Sequence, residues 1–313
     1  MGDCAFLFPG QASQAVGMGQ DLYQEYPVAR EIFDRADEAL GFLLTELCFC
    51  GPEEKLRQTV FTQPAVFVHS VAAWHVLAAS GIESACVAGH SLGEYSALVA
   101  ARALEFEEGL KLVERRSQLM QQVGEEQAGS MAAILGLEDE QVEELCRQVA
   151  ASGIAVAANF NAPGQVAVSG DVAAVERVGE LAREAGAKRV IPLEVSGAFH
   201  SPLMEPAARG MASILGDAVL RSPQLPVITN VAARPVEDAE ELRQHLIDQI
   251  THPVRWTESV RCMSRMGVKR AAEVGPGTVL KGLVRRIERD LQVIEAGTVE
   301  GLETARIALQ GDA

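Results

Sequence analysis

The chain has 313 residues, 48% of them hydrophobic and 5% aromatic, with 27 basic and 43 acidic side chains and a formal charge of −16. That length suits one large domain with an insertion or two domains, and the apolar share allows a sizeable core built mostly from Ala, Val and Leu. A surface of this sign repels nucleic acid at long range. No apolar run reads as long enough to cross a bilayer. The N-terminus shows no basic region ahead of an apolar stretch, so cytoplasmic residence is expected. The cysteines Cys4, Cys48, Cys50, Cys86, Cys146 and Cys262 form no C-x-x-C, and Cys48-x-Cys50 has no nearby histidine. Reduced, mostly buried thiols and no metal site are expected.

In chain order, residues 4–8 read as a short buried strand closed by Pro9-Gly10, and helical periodicity follows over 19–40 with a break near Pro27. A helix is predicted over 64–79, a strand over 85–88, and helices from Gly93 and over 104–123. A compact group follows: strand 131–137, helix 138–151, strand 154–159, a turn at 161–164, strand 165–169, helix 172–185 with Asp171 as N-cap, and strand 188–195. That βαββαβ order is the split βαβ, ferredoxin-like unit. The α/β alternation then resumes with helix 203–215, strand 226–229, helices 239–250 and 256–266, and strands 269–274 and 292–295. The expected fold class is α/β: a core of residues 1–128 and 196–313 around a mostly parallel sheet, with residues 129–195 inserted as a small subdomain.

Gly89-His90-Ser91-Leu92-Gly93 points most directly to chemistry. A strand, a sharp turn and a helix in that order are the setting of a nucleophile elbow. The glycines let the backbone turn tightly and approach its neighbours. The turn lifts the Ser91 hydroxyl above the sheet and leaves the Leu92 N–H free to face a developing oxyanion. The bland alternative is an ordinary Gly-rich strand–helix turn.

A serine needs a base. His69 and His75 fall in an apolar helix, His245 and His252 near the end of a polar one, and His90 is expected to point away from Ser91. His200 lies in the loop by which the insertion rejoins the core, so it is expected to line the cleft between them and to act as base. Arg116 interrupts the apolar stripe of Leu112, Val113, Leu119 and Met120. An inward guanidinium needs an anion, supplied by a protein carboxylate or by a carboxylate substrate. A side chain that reaches back to solvent is the other possibility. Arg115 turns to the polar face.

Six motifs occur in order: Phe8-Pro9-Gly10-Gln11, the elbow through Glu94-Tyr95, Asn159-Phe160-Asn161-Ala162-Pro163-Gly164-Gln165, Ala198-Phe199-His200-Ser201, Gln249 ahead of Pro253-Val254-x-Trp256, and Glu273-Val274-Gly275-Pro276-Gly277. With them the chain resembles the malonyl-CoA:acyl carrier protein transacylases of fatty-acid and polyketide synthesis, from Phe6 to about Arg286. The resemblance implies an α/β-hydrolase-like core with a ferredoxin-like insertion. It also implies a ping-pong serine acyltransferase, with malonyl-CoA and a phosphopantetheinylated acyl carrier protein as substrates and no bound cofactor.

By the resemblance Ser91 is the nucleophile, His200 the base and the Gln249 carbonyl its support. Gln11 and Leu92 supply the oxyanion N–H groups, and Arg116 holds the malonyl carboxylate. Phe199 fills the space of an α-methyl, and Asn159 and Asn161 bind substrate. Ala12 departs from the family, which usually has glycine after Gln11; a positive φ there would strain alanine. An acidic carrier needs a local basic rim, for which Lys188, Arg189, Lys281, Arg285 and Arg286 are candidates, with Arg289 beside them. A monomer serving fatty-acid synthesis is expected. The alternatives are a polyketide acyltransferase, a serine esterase or thioesterase, which should place an Asp or Glu behind the histidine, and a scaffold without turnover.

Overall fold

The computed structural model describes residues 4–310. In chain order its strands are β1 (Cys4–Phe8), β2 (Cys86–Gly89), β3 (Gly129–Leu135), β4 (Ala155–Ala162), β5 (Gln165–Asp171), β6 (Arg189–Pro192), β7 (Val227–Ile228), β8 (Pro235–Val236), β9 (Arg270–Glu273) and β10 (Gln292–Glu295). The larger sheet runs β10-β9-β1-β2-β7-β8 and is parallel except where β7 and β8 pair. Successive residues of β1 serve two cores. Ala5 and Leu7 join Cys86, Ala88 and Trp256 on one face, and Cys4, Phe6 and Phe8 join Val87 on the other. A sheet covered on both faces needs such uninterrupted apolar strands.

The smaller sheet runs β4-β5-β3-β6, antiparallel throughout. Its last strand lies beside its first, and its third between first and second, which is the ferredoxin-like order. The helices Asp139–Val149 and Val172–Glu184 cover one face. On the other, Met131, Ala133 and Ala167 border a cleft against the larger subdomain. Backbone bonds stitch the two together: Phe160 N–H donates to Val254 O and Val254 N–H to Ala158 O, both at 2.9 Å.

Several expectations change. The helix Thr59–Ala79 is apolar and long enough to cross a membrane by composition, contrary to the sequence reading, but its apolar window is 83% buried in the protein. It also starts well before Pro64. A proline there removes one helical hydrogen bond, and the burial of Thr59, Thr62 and Gln63 outweighs that loss. Asp171 stands at an N-cap, yet its carboxylate accepts the Ile154 N–H (2.7 Å) and not one from the helix. The helices Leu44–Cys50, Glu53–Leu56, Val279–Ile287 and Val299–Leu309 and the strand β8 had no counterpart in the sequence reading. Cys48, Cys50, Cys86, Cys146 and Cys262 are free thiols, and all but Cys50 are buried, as is Cys4.

Candidate active site

The elbow follows β2. A Cβ on Gly89 would fall 1.9 Å from the Gly93 carbonyl carbon, and one on Gly93 would fall 2.1 Å from the Phe8 oxygen. Close approach is therefore what demands glycine at both places. The strained angle sits on the serine, whose φ is 51°. That region costs a residue with a side chain about 1–2 kcal/mol. Asn230 holds the turn: its Oδ1 accepts the Ser91 N–H at 2.7 Å, and its Nδ2 donates to Gly89 O at 2.6 Å.

Ser91 Oγ lies 2.8 Å from His200 Nε2, and His200 Nδ1 lies 2.7 Å from the Gln249 carbonyl oxygen. A carbonyl only accepts, so Nδ1 carries the proton and Nε2 is left as a free base facing the hydroxyl. Among the described residues no carboxylate touches the ring. Burial, and after it the Arg116 guanidinium, drives the His200 imidazole down to about 3, so it is neutral near pH 7. His200 lies in the loop where it was expected, with a φ of 57°.

Arg116 is wholly buried. Its Nη1 donates to Gln63 Oε1 at 2.7 Å, and its Nη2 donates to Gln249 Oε1 at 2.8 Å and to Ser91 Oγ at 3.1 Å. The guanidinium lies 5.8 Å from the centre of the Tyr95 ring, within cation–π reach. Among the described residues no carboxylate is within ion-pair reach of it, and its Nε has no partner. Burial lowers its pKa, with Tyr95 and Glu94 opposing. A dry guanidinium held by two amides and a hydroxyl can receive an anion with both charge and geometry.

The cleft, about 480 Å³, is lined among others by Gln11, Ser91, Asn159, Asn161, Phe199 and His200. Gln11 is held through its side chain by Thr59 (3.3 Å) and Gln63 (3.1 Å). Among the described residues neither the Gln11 nor the Leu92 N–H has an acceptor. Ala12 has a φ of 73°, so the anticipated strain is present. His90 borders the cleft, and its Nε2 donates to Asn161 Oδ1 at 2.8 Å, with the ring 5.5 Å from that of Trp256.

The basic candidates divide. Lys188, Arg189 and Arg286 line a cavity of about 540 Å³, and Arg285 and Arg289 join Arg286 around another of about 610 Å³. Arg286 donates to Gln165, which also borders the active cleft, so this rim adjoins it. Lys281 is instead tied to Glu295 in an ion pair of 2.8 Å.

Three residues of this network escaped sequence reasoning. Gln63 lies in the stretch of helix ahead of Pro64. Asn230 follows a two-residue strand that carries no motif. Glu94 had a signal, as the one acid in the otherwise apolar helix Gly93–Ala100; burial pushes it up to about 7.

A hydroxyl facing a neutral imidazole at a strand–helix elbow is the machinery of acyl transfer, and the family described as "Acyl transferase domain" matches residues 5–307. A malonyl CoA-acyl carrier protein transacylase of Haemophilus influenzae is 46% identical over 94% of this chain and 95% of that protein. One of Bacillus subtilis is 44% identical over 97% and 96%. Among solved structures, the malonyl CoA-acyl carrier protein transacylase of Coxiella burnetii has a TM-score of 0.94 at 40% identity, covering 98% of this chain and 97% of that one. A malonyl-transacylase in complex with its type II polyketide acyl-carrier protein has a TM-score of 0.95 at 43% identity, covering 97% and 99%. The chain belongs to the malonyl CoA-acyl carrier protein transacylase family.

Proposed function

We infer that this protein moves the malonyl group of malonyl-CoA to the phosphopantetheine thiol of an acyl carrier protein through a malonyl ester on Ser91. The observation that carries the reading is the Ser91 Oγ–His200 Nε2 contact of 2.8 Å with the buried Arg116 Nη2 3.1 Å from the same oxygen. One guanidinium beside the nucleophile reads the free carboxylate while the hydroxyl meets the thioester. An acetyl group leaves that guanidinium unpaired, a strong source of discrimination.

Ser91 Oγ bonds to the thioester carbonyl carbon as its proton passes to His200 Nε2. The oxyanion faces the Gln11 and Leu92 N–H groups; losing one such donor costs about 2.7–4 kcal/mol. Collapse breaks the C–S bond, and the CoA thiolate takes the proton from His200. In the second half the carrier thiol gives its proton to His200 and attacks the ester carbonyl. The serine oxygen leaves and recovers that proton. The Gln249 carbonyl steadies the imidazolium in place of the acid of a hydrolase triad. No metal or bound cofactor enters this scheme.

Phe199 walls the cleft where an α-branched acyl group would sit, and Asn159 and Asn161 offer amides to the pantetheine arm. Lys188, Arg189, Arg285 and Arg286, with Arg289, form the rim for an acidic carrier, and Lys281 contributes least because Glu295 neutralises it. The reading includes a small subdomain over 129–195, a monomer, since one chain supplies every group named, and a cytoplasmic location, with which the free thiols of Cys48, Cys50, Cys86, Cys146 and Cys262 agree. Fatty-acid synthesis is the pathway of this reading. A polyketide carrier is the second, favoured by the likeness to a transacylase bound to such a carrier.

Incubation with malonyl-CoA, then mass spectrometry of the Ser91 peptide, tests the reading. A stable malonyl ester is expected. Rapid hydrolysis without carrier would mark an esterase, and no adduct a scaffold.

A further inference from the structure

Glu94 is 1% exposed, and no step of the transfer uses it. A carboxyl group is costly to bury unless it has strong partners. Its Oε1 accepts the Asn230 backbone N–H at 3.2 Å, and its Oε2 accepts the side-chain amide of Gln249. The same Gln249 Nε2 donates to Ser91 O at 3.0 Å, while Gln249 Oε1 accepts from Arg116 Nη2 at 2.8 Å. Gln249 also supports His200 through its backbone carbonyl. One residue therefore touches the base with its main chain and the guanidinium with its side chain, and Glu94 grips that side chain from behind.

We propose that Glu94 is a positioning residue: it fixes the orientation of the Gln249 amide, and through it the Arg116 guanidinium, and so sets the preference for an acyl group that carries a carboxylate. The proposal rests on the reading of Arg116 as the partner of the malonyl carboxylate.

An amide is nearly symmetric in shape but not in chemistry. Both Glu94 oxygens accept, one from the Asn230 N–H and one from Gln249 Nε2, so the NH₂ end of Gln249 faces Glu94 and its carbonyl end faces Arg116. Turned over, the amide would set its NH₂ against the guanidinium and leave buried donors without acceptors, which is costly. A glutamine at 94 cannot impose this order. Its own NH₂ would face either the Asn230 N–H or the Gln249 amide. In its ionised form Glu94 also brings negative charge to within one amide of Arg116. It offsets part of the cost of burying the guanidinium without contacting it.

The test is kcat/KM for malonyl-CoA and for acetyl-CoA in the wild type, Glu94→Gln, Gln249→Met, their double mutant, Glu94→Asp and Arg116→Ala. Glu94→Gln should lower the malonyl-to-acetyl ratio about tenfold, mainly by raising KM for malonyl-CoA. Gln249→Met keeps the backbone carbonyl and should give a comparable drop. The double mutant should be no worse than the larger single, because both cut one relay. Glu94→Asp, which still only accepts, should restore part of the ratio. A ratio unchanged in both single variants, or effects that multiply in the double, overturns the relay. If Arg116→Ala still shifts the ratio, the reading of Arg116 survives that failure; if it does not, both fall. Should Glu94→Gln fail to fold, the ratios of Gln249→Met and Glu94→Asp decide.

Discussion

Arg116 and the arginines at 285, 286 and 289 carry the same group in opposite settings. Arg116 is wholly buried and bonded to two amides and a hydroxyl. Arg285, Arg286 and Arg289 are exposed around open cavities, with Lys188 and Arg189 close by. A desolvated charge in a rigid frame interacts strongly at short range and hardly feels salt. Exposed charges act at a distance, are screened within about 8–10 Å at ordinary ionic strength, and contribute little singly. One setting suits the choice of a small anion, the other the capture of a large acidic partner. A chain of charge −16 needs the second to be local.

The comparison breaks first if the nucleophile and its base are not where the buried charge points. Ser91→Ala should abolish the acyl-enzyme in a mass-spectrometric assay. His200→Ala should slow its formation by about 1,000-fold or more, because an unactivated hydroxyl is a poor nucleophile at neutral pH. An unchanged acylation rate in His200→Ala contradicts the pairing.

The rim comes next in size. Reversing Arg285 and Arg289 to Glu should raise KM for the carrier about tenfold and leave KM for malonyl-CoA nearly unchanged. The carrier rate should fall as salt rises. A carrier KM indifferent to both treatments removes the rim from the account.

The buried side can be sharpened by titration. A histidine takes its proton near 6.5 in the unfolded chain, and His200 does so only near 3 in the folded one. Between those values the unfolded state binds more protons, so stability is kept above pH 6.5 and lost as pH falls through that window. The His200 ring signal in an NMR titration should stay neutral from roughly pH 8 down to 5. A midpoint near 6.5 would show a ring open to solvent. The smallest effect concerns Ala12, whose φ of 73° glycine adopts freely. Ala12→Gly should stabilise by up to about 1 kcal/mol, read as a rise in Tm of about 2 °C. A fall in Tm contradicts the strain.

The sequence made legible what local pattern encodes. The elbow showed because tight packing demands glycine on both sides of Ser91. The small subdomain showed because its elements are short and cleanly punctuated. Arg116 showed because a charge on an apolar stripe breaks a periodicity. What stayed hidden is made by distant contacts. Asn230 meets Ser91 across 139 positions, and Glu94 meets Gln249 across 155. Neither leaves a periodic trace. His90 is bonded to Asn161 of the other subdomain, and Gln63 lies ahead of Pro64 in a stretch of helix whose start at Thr59 is set by tertiary packing and not by local pattern.

The central claim is that Arg116 selects the acyl group and does not perform the chemistry. The most direct measurement is the ratio of kcat/KM for malonyl-CoA to that for acetyl-CoA in the wild type and in Arg116→Ala. The account predicts that malonyl-CoA loses at least ~100-fold, on the order of 3 kcal/mol for a desolvated charge-assisted pair, while acetyl-CoA is spared or improved because Ser91 and His200 remain. An equal fall for both substrates, or a shift produced by Arg115→Ala in its place, would contradict it.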